Sequence, residues 1–263
     1  MRAELEVDIH PTALVDPSAE LDVGVQVGAY SIVGPNVEIG ARTSIASHVL
    51  VERDTVLGSE CSLHHGAVLG SDPQDLKYKA EPTRLIVGDR TVVREFATLN
   101  RGTAHSSETR VGSDCLLMAY THVAHDCRLG NHVILANAVQ MAGHVTIEDW
   151  VIVGGGCVIH QFVRIGAHAF IGGGSRVPQD VPPYCRSAGN DPKLYGLNSV
   201  GLQRRGFAEP TRAALKKAYR ILFHSALNVS QGLARIEEEI PGIPEVDHLV
   251  AFIRASERGI TIG

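Results

Sequence analysis

Counting in steps of six from Ile9 to Val177, 26 of 29 positions carry Ile, Leu, Val or Met, and only Asp75, Glu81 and His105 break the register. A helix repeats every 3.6 residues and a strand every 2, so a period of six belongs to neither alone. It is the mark of a solenoid whose units bury their apolar side only by stacking on one another. Four places after each apolar position the residue is small or β-branched, as at Ala13, Thr43, Val133 and Ser175. The residue directly following the apolar position is often Gly, as at Gly28, Gly112 and Gly166. This pattern predicts tight corners built from a small inward side chain and a permissive glycine backbone. Three hexads then close an 18-residue triangular coil, the layer of a parallel β-helix rising about 4.8 Å per turn. About ten layers would make a prism roughly 45 to 50 Å long.

Two polar stretches interrupt the register, residues 71–86 and 100–110, and the phase resumes after each. They read as loops thrown out from the prism, and insertions in a repeat array commonly mark its binding face. A plain surface loop is the alternative, but Gln74, Asp75, Lys77 and Tyr78 crowd binding-type side chains into one excursion. After Val177 the pattern turns helical. Pro210 opens a segment whose Leu215, Tyr219 and Leu222 share one face, a second helix starts at Ser230, and a third enters through Pro244. The division expected is a β-helix over residues 1–190 and an α-helical domain over 191–263 that covers the last coil, with residues 1–8 covering the first.

Composition narrows the class. The 44% hydrophobic and 5% aromatic content suits stacked aliphatics. No stretch approaches the ~20 apolar residues of a membrane span, and Glu4, Glu6 and Asp8 stand where a signal peptide would be basic, so a cytoplasmic location is expected. Cys61, Cys115, Cys127 and Cys157 occupy the small inward position and read as buried hydrophobes, which argues against Cys127 as a nucleophile. A net charge of −5 argues against nucleic acid as a partner. Between Gly201 and Ser225, however, six Arg and Lys face Glu209 alone.

The 18-residue coil converts spacing into neighbours, with residue i beneath i+18. His125 then lies beneath Gly143 and Gly143 beneath Gln161, Asp126 beneath His144, and Ala142 beneath His160, with His122 close by. An imidazole beside a carboxylate suits a general base. A glycine above it suits an oxyanion donor, since its amide can approach a carbonyl closely. Zinc held by His122 and His125 is the second reading, although no ligand at convincing spacing completes the set. His10, His48, His132, His168, His224 and His248 read as solvated surface residues.

The strings HVAHDCRLGN, ILANAVQMAGHV and VIHQF, the loop QDLKY with EPTR, NRGT, QDVPPY and GLQRRGF resemble the UDP-N-acetylglucosamine O-acyltransferase family of lipid A synthesis over the whole chain. The resemblance implies a left-handed parallel β-helix, a homotrimer and active sites between adjacent subunits. It implies transfer of a 3-hydroxyacyl group from acyl carrier protein to the 3-position of UDP-N-acetylglucosamine. No cofactor is implied beyond the phosphopantetheine on the carrier. His125 would be the general base, Asp126 its orienting partner and the Gly143 amide the oxyanion donor. Gln74, Asp75, Lys77, His122, His144, His160, Gln161, Asn198, Arg204 and Arg205 would contact donor or nucleotide sugar, and Gly173 would bound the acyl groove. The basic segment around Arg204 would suit an acidic carrier. Three positions depart from the family pattern: Asn100 and Asp191 replace His, and Val200 replaces an acidic residue. A 3-amino sugar acceptor and a γ-type carbonic anhydrase-like zinc protein are the competing functions.

Overall fold

The computed structural model describes residues 6–262. Each hexad contributes a two-residue strand with one side chain out and one in, as at Ile134–Leu135, where Leu135 is fully buried. The short strands stack in register into three parallel sheets that form the faces of a triangular prism. The first runs from Asp8–Ile9 to the strand Lys193–Leu197, the second from Leu14–Val15 to Arg176–Val177, and the third from Glu20–Leu21 to Arg164–Ile165.

Asp8 pairs with Gln26, Leu14 with Ile32 and Glu20 with Glu38, which is the predicted 18-residue coil. Two coils are longer. Ser62 pairs with Val92, twelve residues beyond the coil length, and Val92 with Leu116, six beyond it. The insertions are therefore two hexads and one hexad, so the six-residue count survives them while the 18-residue rule fails across them. The loops are also narrower than the polar stretches. Strands Val68–Ser71 and Arg84–Val87 bracket the first, and Thr98–Asn100 and Glu108–Val111 the second.

The corners work differently from the sequence expectation. Positive φ falls on the third residue after the apolar position, mostly non-glycine, with Asp126 at 59°, His144 at 61° and Trp150 at 64°. The glycines directly after the apolar residue are required by crowding. A Cβ on Gly112 would stand 2.4 Å from the Gly130 carbonyl oxygen of the next coil.

Beyond the last coil, the antiparallel hairpin of Cys185–Ala188 and Lys193–Leu197 extends the first sheet. The helices α1 (Ser199–Arg204), α2 (Glu209–Phe223), α3 (Val229–Glu239) and α4 (Pro244–Arg254) follow. The short α1 is an addition to the sequence reading. α3 starts one residue earlier than expected because Asn228 and Gln231 form a capping box. Leu215, Ile236 and Leu249 form the core of this helical cluster. It is tied to the prism by His248, which bridges Glu148 (2.9 Å) and the Tyr184 hydroxyl (2.9 Å), and by Arg164 over the Phe252 ring. His168 is likewise packed between Trp150 and Tyr184, so neither His168 nor His248 is the solvated residue that the hexad phase suggested. At the opposite end Asp8 belongs to the first strand, and residues 1–5 of the expected N-terminal cover lie outside the described residues.

Candidate active site

Both loops leave from strands of the second sheet and return into the third, so both emerge at the edge between these faces. The next coil turns that same edge through Ala124, His125 and Asp126. The second loop folds over this corner and encloses the Asp126 carboxylate. Thr103 donates to it through its backbone N–H (3.0 Å) and its hydroxyl (2.7 Å), and Ser106 donates through its N–H (3.2 Å) and its hydroxyl. His125 Nδ1 completes the set at 2.8 Å. Burial alone would raise the Asp126 pKa, but the hydrogen bonds from His125, Ser106 and Thr103 outweigh it and hold the group well below the ordinary carboxylate range. A fixed anion on Nδ1 leaves Nε2 as the free nitrogen of a neutral His125.

Gly143 sits directly above that ring. A Cβ there would stand 2.5 Å from His125 Cε1, so any side chain at this position would displace the imidazole. The Gly143 N–H makes no hydrogen bond among the described residues, whereas at the same turn position the Ser113, Asn131 and Ala167 N–H groups donate to side chains. His144 packs edge-on to His125 (5.1 Å) and to His105 of the second loop (4.7 Å), and stacks on Phe162 (4.4 Å). Burial lowers the His144 pKa, and burial with the neighbouring His125 lowers that of His122, whose Nδ1 lies 2.7 Å from the Thr98 hydroxyl. An open cavity of about 410 Å³ on the second sheet is lined by Gln74, His122, His125, Gly143 and Val158. A larger one, about 750 Å³, lies between the hairpin and α2 and is lined by Asn198, Val200, Lys216 and Arg220, away from the His125–Asp126 pair. Of the two, the smaller is the one that His125 and Gly143 line.

One chain thus brings Gln74, His122, His125, Asp126, Gly143 and His144 together. Asp75 and Lys77 share the first loop, joined by a 3.0 Å hydrogen bond from Lys77 N–H to the Asp75 carboxylate. His160 and Gln161 lie exposed one coil above Gly143 on the same edge. Asn198, Arg204 and Arg205 are elsewhere. Asn198 caps α1 and donates to the His168 carbonyl (2.9 Å), and Arg205 lies over the Trp150 ring (5.1 Å), both at the edge between the third and first sheets. Gly173 is exposed at the remaining edge, between the first and second sheets. Asn100 is buried and donates to Ser71 Oγ (2.9 Å) and the Asp72 carbonyl (3.0 Å), which makes it a staple at the loop bases. Val200 and Asp191 are exposed.

The sequence reading missed Thr103, Ser106 and His105. The signal for them was present: the insertion that breaks the register at His105 is one hexad long, so it must return to the edge it left. Side-chain nitrogens of His125 and His144 and a carboxylate oxygen of Asp126 lie within 4.8 Å of one another, a spacing a metal ion could bridge. Both Asp126 oxygens already accept hydrogen bonds from Thr103 and Ser106, so this carboxylate is committed to orienting His125. Burial pushes the Cys127 thiol up to about 12, which removes it as a nucleophile.

Comparison with known proteins bears on the family and the fold. Residues 180–261 match the family model described as UDP-N-acetylglucosamine O-acyltransferase, domain 2, and residues 108–143 match the bacterial transferase hexapeptide model. The chain is 48% identical over 254 residues, covering 96% of it and 98% of the relative, to the acyl-[acyl-carrier-protein]–UDP-N-acetylglucosamine O-acyltransferase of Thermodesulfovibrio yellowstonii. It is 46% identical over 254 residues, covering 96% and 99%, to the enzyme of the same name from Anaeromyxobacter dehalogenans. Among solved structures, the UDP-N-acetylglucosamine O-acyltransferase of Moraxella catarrhalis superposes with a TM-score of 0.93 at 40% identity, covering 96% and 99% of the two chains. The coil shares the left-handed winding of these structural neighbours.

Proposed function

The chain belongs to the UDP-N-acetylglucosamine O-acyltransferase family, and from that premise we infer that it moves a 3-hydroxyacyl group from acyl carrier protein to the 3-hydroxyl of UDP-N-acetylglucosamine. The observation that carries the mechanism is the His125 ring pressed beneath Gly143, with Asp126 fixed behind it. Nε2 takes the proton of the sugar hydroxyl as its oxygen attacks the thioester carbonyl. The Gly143 N–H receives the charge that develops on the carbonyl oxygen. The C–S bond then breaks, the carrier thiolate takes the proton back from His125, and the ester is released without an acyl-enzyme.

The faces of the prism support a homotrimer. The outward row of the third sheet is mostly charged (Glu20, Glu38, Arg110, Arg128, Arg164), with Val56, Ile86 and Thr146 between, which suits a solvent face. The outward row of the first sheet is polar in its early coils (Asp8, Gln26, Ser44, Ser62) and apolar from Val92 onward (Leu116, Ile134, Ile152, Phe170), whereas the second presents Leu14, Ile32, Leu50 and Val68 early, then Thr98, His122 and Gln140, and Val158 later. Unlike faces that each carry an apolar stretch, packed first-against-second, form a heterologous contact that closes as a ring. That packing turns the His125 edge of one copy toward the next copy's edge bearing Asn198, Arg204 and Arg205, which uses both halves of the expected substrate set. Gly173 and His125 lie at opposite edges of the second sheet, three coils apart, so an acyl chain crossing that face rises about 14 Å. The basic stretch from Arg204 to Arg220 supplies complementary charge for an acidic carrier. Among the described residues no helix is long and apolar enough to cross a membrane, in keeping with a cytoplasmic enzyme drawing on soluble substrates.

Purified protein incubated with UDP-N-acetylglucosamine and a ladder of 3-hydroxyacyl carrier proteins should yield the O-acylated nucleotide sugar, with rates unchanged by chelator. Absence of product with every donor, or stoichiometric zinc needed for turnover, would overturn this reading.

A further inference from the structure

We infer that Arg101 is a positioning residue that holds the first loop and the Asp126 cradle as one unit, a role that rests on the acyl-transfer reading above. Its side chain is 1% exposed although it carries a full charge. The guanidinium donates to the Gly70 carbonyl, to the Asp72 carboxylate and to the Tyr78 hydroxyl (3.2 Å), and Arg101 N–H donates to the Ser71 carbonyl (3.0 Å). Asp72 and Tyr78 flank Gln74, Asp75 and Lys77, so a single planar fork grips both ends of the segment expected to meet the nucleotide sugar. Gln74 already lines the cavity with His122 and His125.

The other side of Arg101 faces the catalytic pair. Only Gly102 separates it from Thr103, and that glycine cannot accept a side chain, since a Cβ would stand 2.4 Å from Glu108 N. Thr103 donates twice to Asp126. Arg101 therefore links the first loop to the anion that orients His125 through one tightly packed residue. The coils above and below keep their own hydrogen-bonded register and aliphatic core, so loosening this brace frees two loops and leaves the prism standing.

Arg101→Lys tests the assignment, because an ammonium keeps the charge but cannot serve three acceptors in one plane. In substrate-free protein, hydrogen exchange should rise together in residues 72–83 and 101–107 while the coils stay protected. In steady-state kinetics the KM for UDP-N-acetylglucosamine should rise about tenfold or more, and by a larger factor than kcat falls, with the KM for the acyl donor nearly unchanged. Tyr78→Phe removes one hydroxyl in the middle of the first loop, which accepts from Arg101 and donates to the Glu81 carbonyl (3.2 Å), and should raise exchange in 72–83 and the nucleotide-sugar KM in the same direction. It supplies the answer if Arg101→Lys does not fold. Wild-type exchange in both loops, or an unchanged nucleotide-sugar KM beside active wild-type enzyme, would overturn the role. A wild type that turns nothing over sinks the reaction instead, and the substrate-free exchange still decides the brace.

Discussion

At the scale of single residues, the site depends on two facts of space and charge. Gly143 is glycine because the His125 ring occupies the volume a Cβ would need. Gly143→Ala should push the imidazole off its Asp126 hydrogen bond and lower kcat by about 10²-fold or more. Unaltered kcat in that variant would show that the ring does not act from this position. His168 offers a pH test. Burial and the nearby Arg205 lower its pKa from 6.5 to about 4, so the folded state prefers neutral imidazole. As pH falls from 6.5 toward 4 the unfolded chain binds the proton first, and stability is lost through that window. Thermal melts of His168→Gln should therefore decline less steeply between pH 6.5 and 4 than those of the wild type, and parallel declines would contradict the assignment. His125, Asp126 and Gly143 were legible in the sequence because no insertion separates their coils. For Thr103, Ser106 and Arg101 the one-hexad insertion says only that the loop returns to this edge; which of its side chains meet Asp126 or the first loop emerges only once the chain is folded, because loop side chains obey no repeat.

At the scale of the repeating element, the hexad assigns different work to neighbouring positions. The inward aliphatic fills the prism, the residue after it, where it is glycine, lets the next coil approach, and the third residue turns the chain through positive φ. Two glycines separate these demands. Gly112→Ala would force a Cβ into the Gly130 carbonyl, whereas a Cβ on Gly156, at φ 67°, meets nothing within 4 Å. Gly156→Ala should cost only about 1–2 kcal/mol of left-handed strain. Gly112→Ala should cost more, because coils must separate, and its melting temperature should fall further. Equal losses would mean that close approach is not what selects glycine after the apolar residue. The sequence pointed to these glycines for the wrong reason, since periodicity locates a corner without saying which of its residues takes the unusual backbone angle. It also located both loops but overran their ends, because strands such as Arg84–Val87 begin in polar residues.

At the scale of the whole molecule, the expected substrate residues lie on two edges of one prism, and in the proposed trimer a second copy supplies what the first lacks. His125→Ala and the double variant Arg204→Ala/Arg205→Ala should each be inactive as pure assemblies. When the two are co-assembled, activity should return, since some interfaces then pair an intact His125 with intact arginines. Mixtures that stay inactive would place the whole site within one chain. The central claim is direct transfer at the His125 corner, and it is tested most directly by rapid-quench mass spectrometry of a single turnover with 3-hydroxyacyl carrier protein and UDP-N-acetylglucosamine. The account predicts that acylated nucleotide sugar and free carrier thiol appear together, that no acylated protein forms, and that His125→Ala slows the step by about 10²- to 10⁴-fold. A transient acyl-enzyme, or a His125→Ala protein that keeps the wild-type rate, would contradict it.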